Sequence, residues 1–193
     1  MSKNRRRPKG TKKSWTALLV ASQGTVTEPA YLRQLKNHFR ASAIDFWQNA
    51  KDPVKLVRDV EEKVRREKYS KAFVLVDRDD SPSAQISQAI AICKKIPSVD
   101  LILSNECFEV WLLGHYQRVD PVWGRAQLAQ KLVEVNAVQP QNPKQIEPDF
   151  PIANHGEAVT NVKNVGANVF GSSGSTSMQV VVNEFQRRSQ HRR

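Results

Sequence analysis

Apolar and polar residues follow two rhythms along this chain, and the rhythms take turns. Residues 15–21, "WTALLVA", form a short apolar run closed by "SQG", the pattern of a buried strand. Next, Thr27 is placed to cap a helix, Pro29 suits its first turn, and Tyr31, Leu32, Leu35 and Phe39 share one face. Residues 44–47 read as a weaker strand. "DPVKLVRDVEEKVRREK" predicts an amphipathic helix capped by Asp52, with Leu56, Val57, Val60 and Val64 on one side. "KAFVLVDRDD" is an apolar run that closes on acids, and it predicts a strand. "SPSAQISQAIAICKKI" predicts a helix with Ile86, Ile90 and Cys93 inward, and "VDLILSN" a further strand. "ECFEVWLLGHY" then places Phe108, Trp111, Leu112 and His115 along one helical side.

Strands alternating with helices of this length predict an α/β fold: a mostly parallel sheet with helices on both faces, over residues 14–116. Beyond residue 116 the rhythm changes. Residues 117–188 hold a helix at "RAQLAQKLVEV", a proline-rich loop at "QPQNPKQIEPDFP", and two helices at 156–169 and 176–188. "GSSGSTS" reads as a flexible turn between those two, with Ser175 or Ser177 as cap.

Charge adds the next layer. The formal net charge is +11, yet residues 1–13 carry seven Lys/Arg and residues 187–193 carry four, with no acid in either stretch. The middle is formally neutral, so the basicity belongs to two predicted flexible tails. Arg5, Arg6, Arg7, Lys9, Lys12, Lys13, Arg187 and Arg188 are the candidate phosphate contacts; solubility alone would account for them equally well. Apolar runs fall far short of the ~20 residues of a membrane helix, so no membrane is expected. Cys93 and Cys107 lack a CxxC spacing and read as reduced packing residues of a cytoplasmic protein. His38, His115, His155 and His191 show no metal-ligand spacing, and His115 reads as packed or capping.

The candidate chemistry lies at predicted strand ends, where open α/β sheets bind ligands. Asp77 and Asp79 are two residues apart and point to one side of an extended backbone. Two such carboxylates repel unless a cation separates them, and hard oxygen ligands favour Mg²⁺ or Mn²⁺ over zinc. A solvated loop "DRDDSPS" is the plainer reading. Glu28 would join the pair if the first and third strands are neighbours; the helix dipole alone also favours an acid there.

Taken together, "GTVTEPAYL", "DPVKLV", "FVLVDRDD" and "SNECFEVWLLGHY" resemble the RloB family of bacterial restriction-linked proteins, within the toprim superfamily. The resemblance covers residues 14–190. It implies a toprim-like sheet whose acids hold a divalent cation, and relatives that cut or rejoin nucleic-acid phosphodiesters in phage defence, some beside an ATPase partner. Asp77 and Asp79 match the metal-binding acidic pair, with Asp80 beside them. Glu28 matches the second glutamate of the first motif, and Glu109 the glutamate of the CFE segment. Gln23, Gly24 and Asn105 neighbour the implied site. Gln23 is the departure: the pattern has glutamate before that glycine, and an amide neither titrates nor carries charge.

Three functions follow as expectations. One is an Mg²⁺- or Mn²⁺-dependent nuclease acting on DNA or RNA. The second is a catalytically weak module that binds nucleic acid or a partner, which Gln23 and the neutral core favour. The third is a structural subunit, with a homo-oligomer admitted, that docks through its C-terminal helices. A basic groove beside the acids would favour the first.

Overall fold

The computed structural model describes residues 17–79 and 81–189. Four strands form the heart of one sheet: β1 (Leu18–Ser22), β2 (Ile44–Gln48), β3 (Lys71–Asp77) and β4 (Val99–Asn105), in order β2-β1-β3-β4 and all parallel. Between them run α1 (Thr27–Phe39), α2 (Pro53–Glu67) and α3 (Ser83–Cys93). The fold is α/β with a mostly parallel sheet, as the alternation predicted, and it is consistent with the toprim-like sheet that the resemblance implied.

Strand alternation divides the core into two layers. Leu19, Ala21, Val74, Val76, Leu101 and Leu103 face α2 and α3, through Leu56, Val57, Val60, Ile86 and Ile90. Leu18, Val20, Phe73, Leu75 and Ile102 face the other way, onto Tyr31, Leu32 and Leu35 of α1. Both faces are covered, so these strands read as unbroken apolar runs. Asp52 caps α2 as expected, its carboxylate accepting from the Lys55 amide at 3.0 Å.

Residues 106–189 complete the second layer with α4 (Glu109–Gly114), α5 (Arg125–Glu134), a hairpin of β5 (Val138–Gln139) and β6 (Asn142–Ile146), α6 (His155–Asn161), β7 (Lys163–Asn164), β8 (Ser175–Thr176) and α7 (Met178–Ser189). Leu128, Val138, Met178 and Phe185 belong to the same buried cluster as Leu18. Three expectations change here. The proline-rich segment forms the β5–β6 hairpin, because a two-stranded ribbon has free edges where Pro143 needs no donor. The helix expected over 156–169 stops at Asn161, and the chain adds β7 beside β8. The "GSSGSTS" turn supplies β8, which pairs antiparallel with β4, Asn105 opposite Ser175. Ser177 therefore does not cap; its hydroxyl accepts from the Leu103 amide at 2.8 Å, while Thr176 Oγ1 accepts from the Met178 amide.

His115 is packed in the core, 2% exposed. Its Nδ1–H donates to the Trp111 carbonyl at 3.1 Å, which leaves Nε2 to accept from the Tyr31 hydroxyl at 3.3 Å. Burial holds this imidazole neutral and pushes its pKa from 6.5 down to about 4. The unfolded chain takes up a proton near pH 6.5 that the fold refuses until about pH 4. Stability from this group is therefore complete above that range and falls as pH drops through it, by roughly 3 kcal/mol. Denaturant midpoints between pH 7 and 4 should show this acid limb, and His115→Gln should flatten it.

Candidate active site

The carboxyl ends of β1 and β3 are adjacent, because the two strands pair directly. β1 ends at Ser22, whose hydroxyl donates to the Gly24 carbonyl at 2.7 Å and tightens the turn into α1. Glu28, in the first turn of α1, is buried and its carboxylate folds back over Gly24, where any Cβ would overlap it. A side chain at 24 would therefore push the Glu28 carboxylate out of its present place. Thr27 does not cap this helix: its hydroxyl donates to the Lys144 carbonyl at 2.9 Å, tying α1 to β6.

β3 delivers Asp77, and the loop after it is pinned by backbone bonds. The Arg78 amide donates to the Ser104 and Glu106 carbonyls and the Asp79 amide to the Glu106 carbonyl, at 3.0–3.1 Å. Strand β3 ends at Asp77 and Asp79 lies in the turn after it, so the extended-backbone spacing does not apply; the two carboxylates meet through one guanidinium. Arg125, the first residue of α5, approaches Asp79 through Nε at 2.5 Å and Nη2 at 2.8 Å, and Asp77 Oδ2 at 3.4 Å.

Gly24, Glu28, Asp77, Glu109, Arg125 and Lys144 line one cavity of about 80 Å³. That is room for a few waters or one hydrated ion, not for a nucleotide. The Asp77 carboxyl is held well above the usual carboxylate range, first by burial, then by the charges of Glu28, Glu109 and Asp79; Arg125 pulls the other way. Glu109 Oε2 is buried with no hydrogen-bond partner. Its carboxylate also lies beside the Cys107 thiol and raises it, after burial.

The cavity therefore unites Glu28, Asp77 and Glu109, with Asp79 joined to it through Arg125. Among the described residues, no group of three or more His, Cys, Asp or Glu is arranged to hold a metal ion; the two Asp carboxylates close on Arg125 instead. In kind, the donors suit a hard divalent cation: all are oxygens, and one buried carboxylate oxygen lacks a donor. Asp80, Arg5, Arg6, Arg7, Lys9, Lys12 and Lys13 lie outside the described residues. Asn105 turns away and donates to the Gly171 carbonyl at 2.7 Å.

Arg187 and Arg188 correct the expected tail. Both lie within α7 and pair with Glu184, and Arg188, 3% exposed, also donates to the Ala43 carbonyl. The helix extends to Ser189 because Phe185 and Arg188 pack against the sheet layer.

A family model for RloB-like proteins matches residues 18–185. The chain belongs to the RloB-like protein family. No curated protein and no solved structure matches it. Within this RloB-like chain, Gln23 does not line the cavity. Its Nε2 donates to the Lys51 carbonyl at 3.2 Å and the Ser81 hydroxyl at 3.4 Å, joining the loops before α2 and α3. Gln23→Glu would lose those donors and set an anion against a carbonyl. The variant should leave Mn²⁺ affinity unchanged and lower the melting temperature, both readable by calorimetry.

Arg125 and Lys144 were missed from sequence. Arg125 carried one usable signal: an arginine in the first turn of a helix opposes the macrodipole and needs an anion nearby. Lys144 gave none, lying in a segment read as loop.

Proposed function

We propose that this protein is an Mg²⁺- or Mn²⁺-dependent nuclease that hydrolyses DNA or RNA phosphodiesters in a bacterial phage-defence or restriction-linked system. The supporting observation is Asp77: a carboxylate only 13% exposed at the end of a central strand, in the field of three other carboxylates, with two cationic side chains on the same cavity wall. Acids alone would suit a cation store. Acids beside Arg125 and Lys144 suit a phosphate group.

Glu28, Asp77, Asp79 and Glu109 would hold the divalent cation, which supplies Lewis-acid polarisation of a phosphoryl oxygen and a lowered water pKa. Arg125 and Lys144 would orient the non-bridging oxygens and offset charge that builds on them. The Thr27–Lys144 bond fixes the backbone of β6 against α1, so Lys144 is presented from a braced strand.

A catalytically weak module that binds nucleic acid or a partner, beside an ATPase or in a homo-oligomer, is the second reading. Arg125 favours it, since the guanidinium holds the two carboxylates that a cation would need. Purified protein with Mg²⁺ or Mn²⁺ on mixed DNA and RNA separates the two. Cleavage that disappears in the double variant Asp77→Ala/Asp79→Ala supports the nuclease; binding without metal-dependent cleavage supports the module. Among the described residues, no helix is long and apolar enough to cross a membrane.

A further inference from the structure

A second cavity, of about 460 Å³, opens among Arg118, Pro121, Thr160, Asn161, Lys163 and Gly174. That volume falls within the roughly 300–1,000 Å³ of ligand-holding clefts. Its lining contains two cations and no acid. Among the described residues neither cation has an ion-pair partner; Lys163 Nζ donates only to the Ser172 hydroxyl, at 2.8 Å. Asp120, the nearest acid in the segment, does not line the cavity and accepts from the Val122 amide.

The walls are built rather than draped. The Val119 amide donates to the Asn161 carbonyl at 3.0 Å, and Asn161 Nδ2 to the Gly114 carbonyl at 2.9 Å. Gly174 adopts φ +73°, and a Cβ there would come within 2.8 Å of Pro121 Cα, so the segment carrying Arg118 rests on the turn into β8. That turn adjoins the carboxyl end of β4, since Ser175 pairs with Asn105, and β4 is paired with β3 up to Asp77. The chain from Arg118 to Arg125 thus begins at this cavity and ends on the acids.

We infer that the Arg118–Lys163 cavity binds backbone phosphate of the nucleic-acid strand whose scissile phosphate lies at the acidic site. The inference rests on the nuclease reading and extends it, assigning a strand path along the carboxyl edge from β3 past β4 to β8. Among the described residues, it also supplies a basic cleft of the kind that favours the nuclease reading over a docking subunit. Uncompensated cations in a preformed polar cleft are stabilised by an anion, and a polyanion adds counterion release.

The test is fluorescence anisotropy of the full-length protein with a labelled single-stranded oligonucleotide, in EDTA, over a salt series. Arg118→Ala/Lys163→Ala should weaken binding by roughly ten-fold or more and reduce the slope of log K against log salt by about 1.4, as two lost single-strand phosphate contacts require. Arg118→Glu alone, a surface change, serves if the double variant melts early, and should weaken binding at least as much as loss of one contact. Unchanged affinity and slope in a folded variant would overturn the inference. Failure of the nuclease reading looks different: no turnover of bis(p-nitrophenyl) phosphate by the wild-type protein with Mn²⁺, whatever the anisotropy gives.

Discussion

Arg125→Gln should bind Mn²⁺ more tightly than the wild-type protein while cleaving far more slowly. The guanidinium occupies the two carboxylates that the proposed function assigns to the cation, with a forked approach to Asp79 and a longer one to Asp77. A divalent ion must therefore displace it from at least one of them. The side chain is 43% exposed, so solvent screens the pair, and exposed pairs are worth up to about 1 kcal/mol. Removing the competitor should tighten Mn²⁺ binding by up to about 5-fold. The displaced guanidinium is the group best placed to meet the substrate phosphate, and loss of one such charge-stabilising donor typically costs about 10²–10³-fold in rate. Titration followed by electron paramagnetic resonance reads the first effect and single-turnover cleavage the second. Arg125→Lys keeps the charge without the fork and should fall between. Weaker Mn²⁺ binding in Arg125→Gln would mean that the arginine organises the acids instead of competing for them.

Asp77→Asn should make the metal-free protein more stable and abolish cation-dependent cleavage. The carboxyl is held above its ordinary range by burial and by Glu28, Glu109 and Asp79. A raised acid favours the fold when protonated, and that advantage is lost as pH rises through its folded pKa, above which the crowded charge is a cost. The amide is nearly isosteric and uncharged, so it removes both the desolvation and the repulsion. Relief of such strained site charge commonly returns about 0.5–2 kcal/mol, and for a chain of this size each kcal/mol moves the melting temperature by ~2–4 °C. Melting without metal, then with Mn²⁺, checks both halves: the variant should melt higher than wild type without the ion and gain less from adding it. A variant that melts lower would show that Asp77 serves as a hydrogen-bonded structural acid.

These effects depend on a site that was legible in outline. Asp77, Asp79 and Glu28 were found because their positions follow from strand ends and helix starts, which local pattern governs. Glu109 was matched by family resemblance, but its place required the fold: the packing of α4 beside β4 sets an unpartnered carboxylate oxygen at the cavity. Gln23 shows the opposite limit. Its type could be read, but its direction could not, since its amide bonds Lys51 and Ser81, 28 and 58 residues away in sequence.

By itself, the sequence determined the alternating core from Leu18 to Gly114, the cap at Asp52, the buried Cys93 and Cys107, and the acids at the ends of β1 and β3. Strong period-2 and period-3.6 patterning decides such elements locally, and burying one apolar face leaves a strand or helix little choice of register. Tertiary structure decided the rest. Val162, Val165 and Val169 carry helical spacing, yet the open edge of β8 takes Lys163 and Asn164 as a strand. Proline in "QPQNPKQI" suggests loop, yet the free edges of a two-stranded ribbon accept it. Arg125 reaches Asp77 and Asp79 across 48 and 46 residues of intervening chain. Short segments with weak intrinsic preference take whichever partner the completed core offers, and a long-range ion pair exists only once that core has set both ends in place.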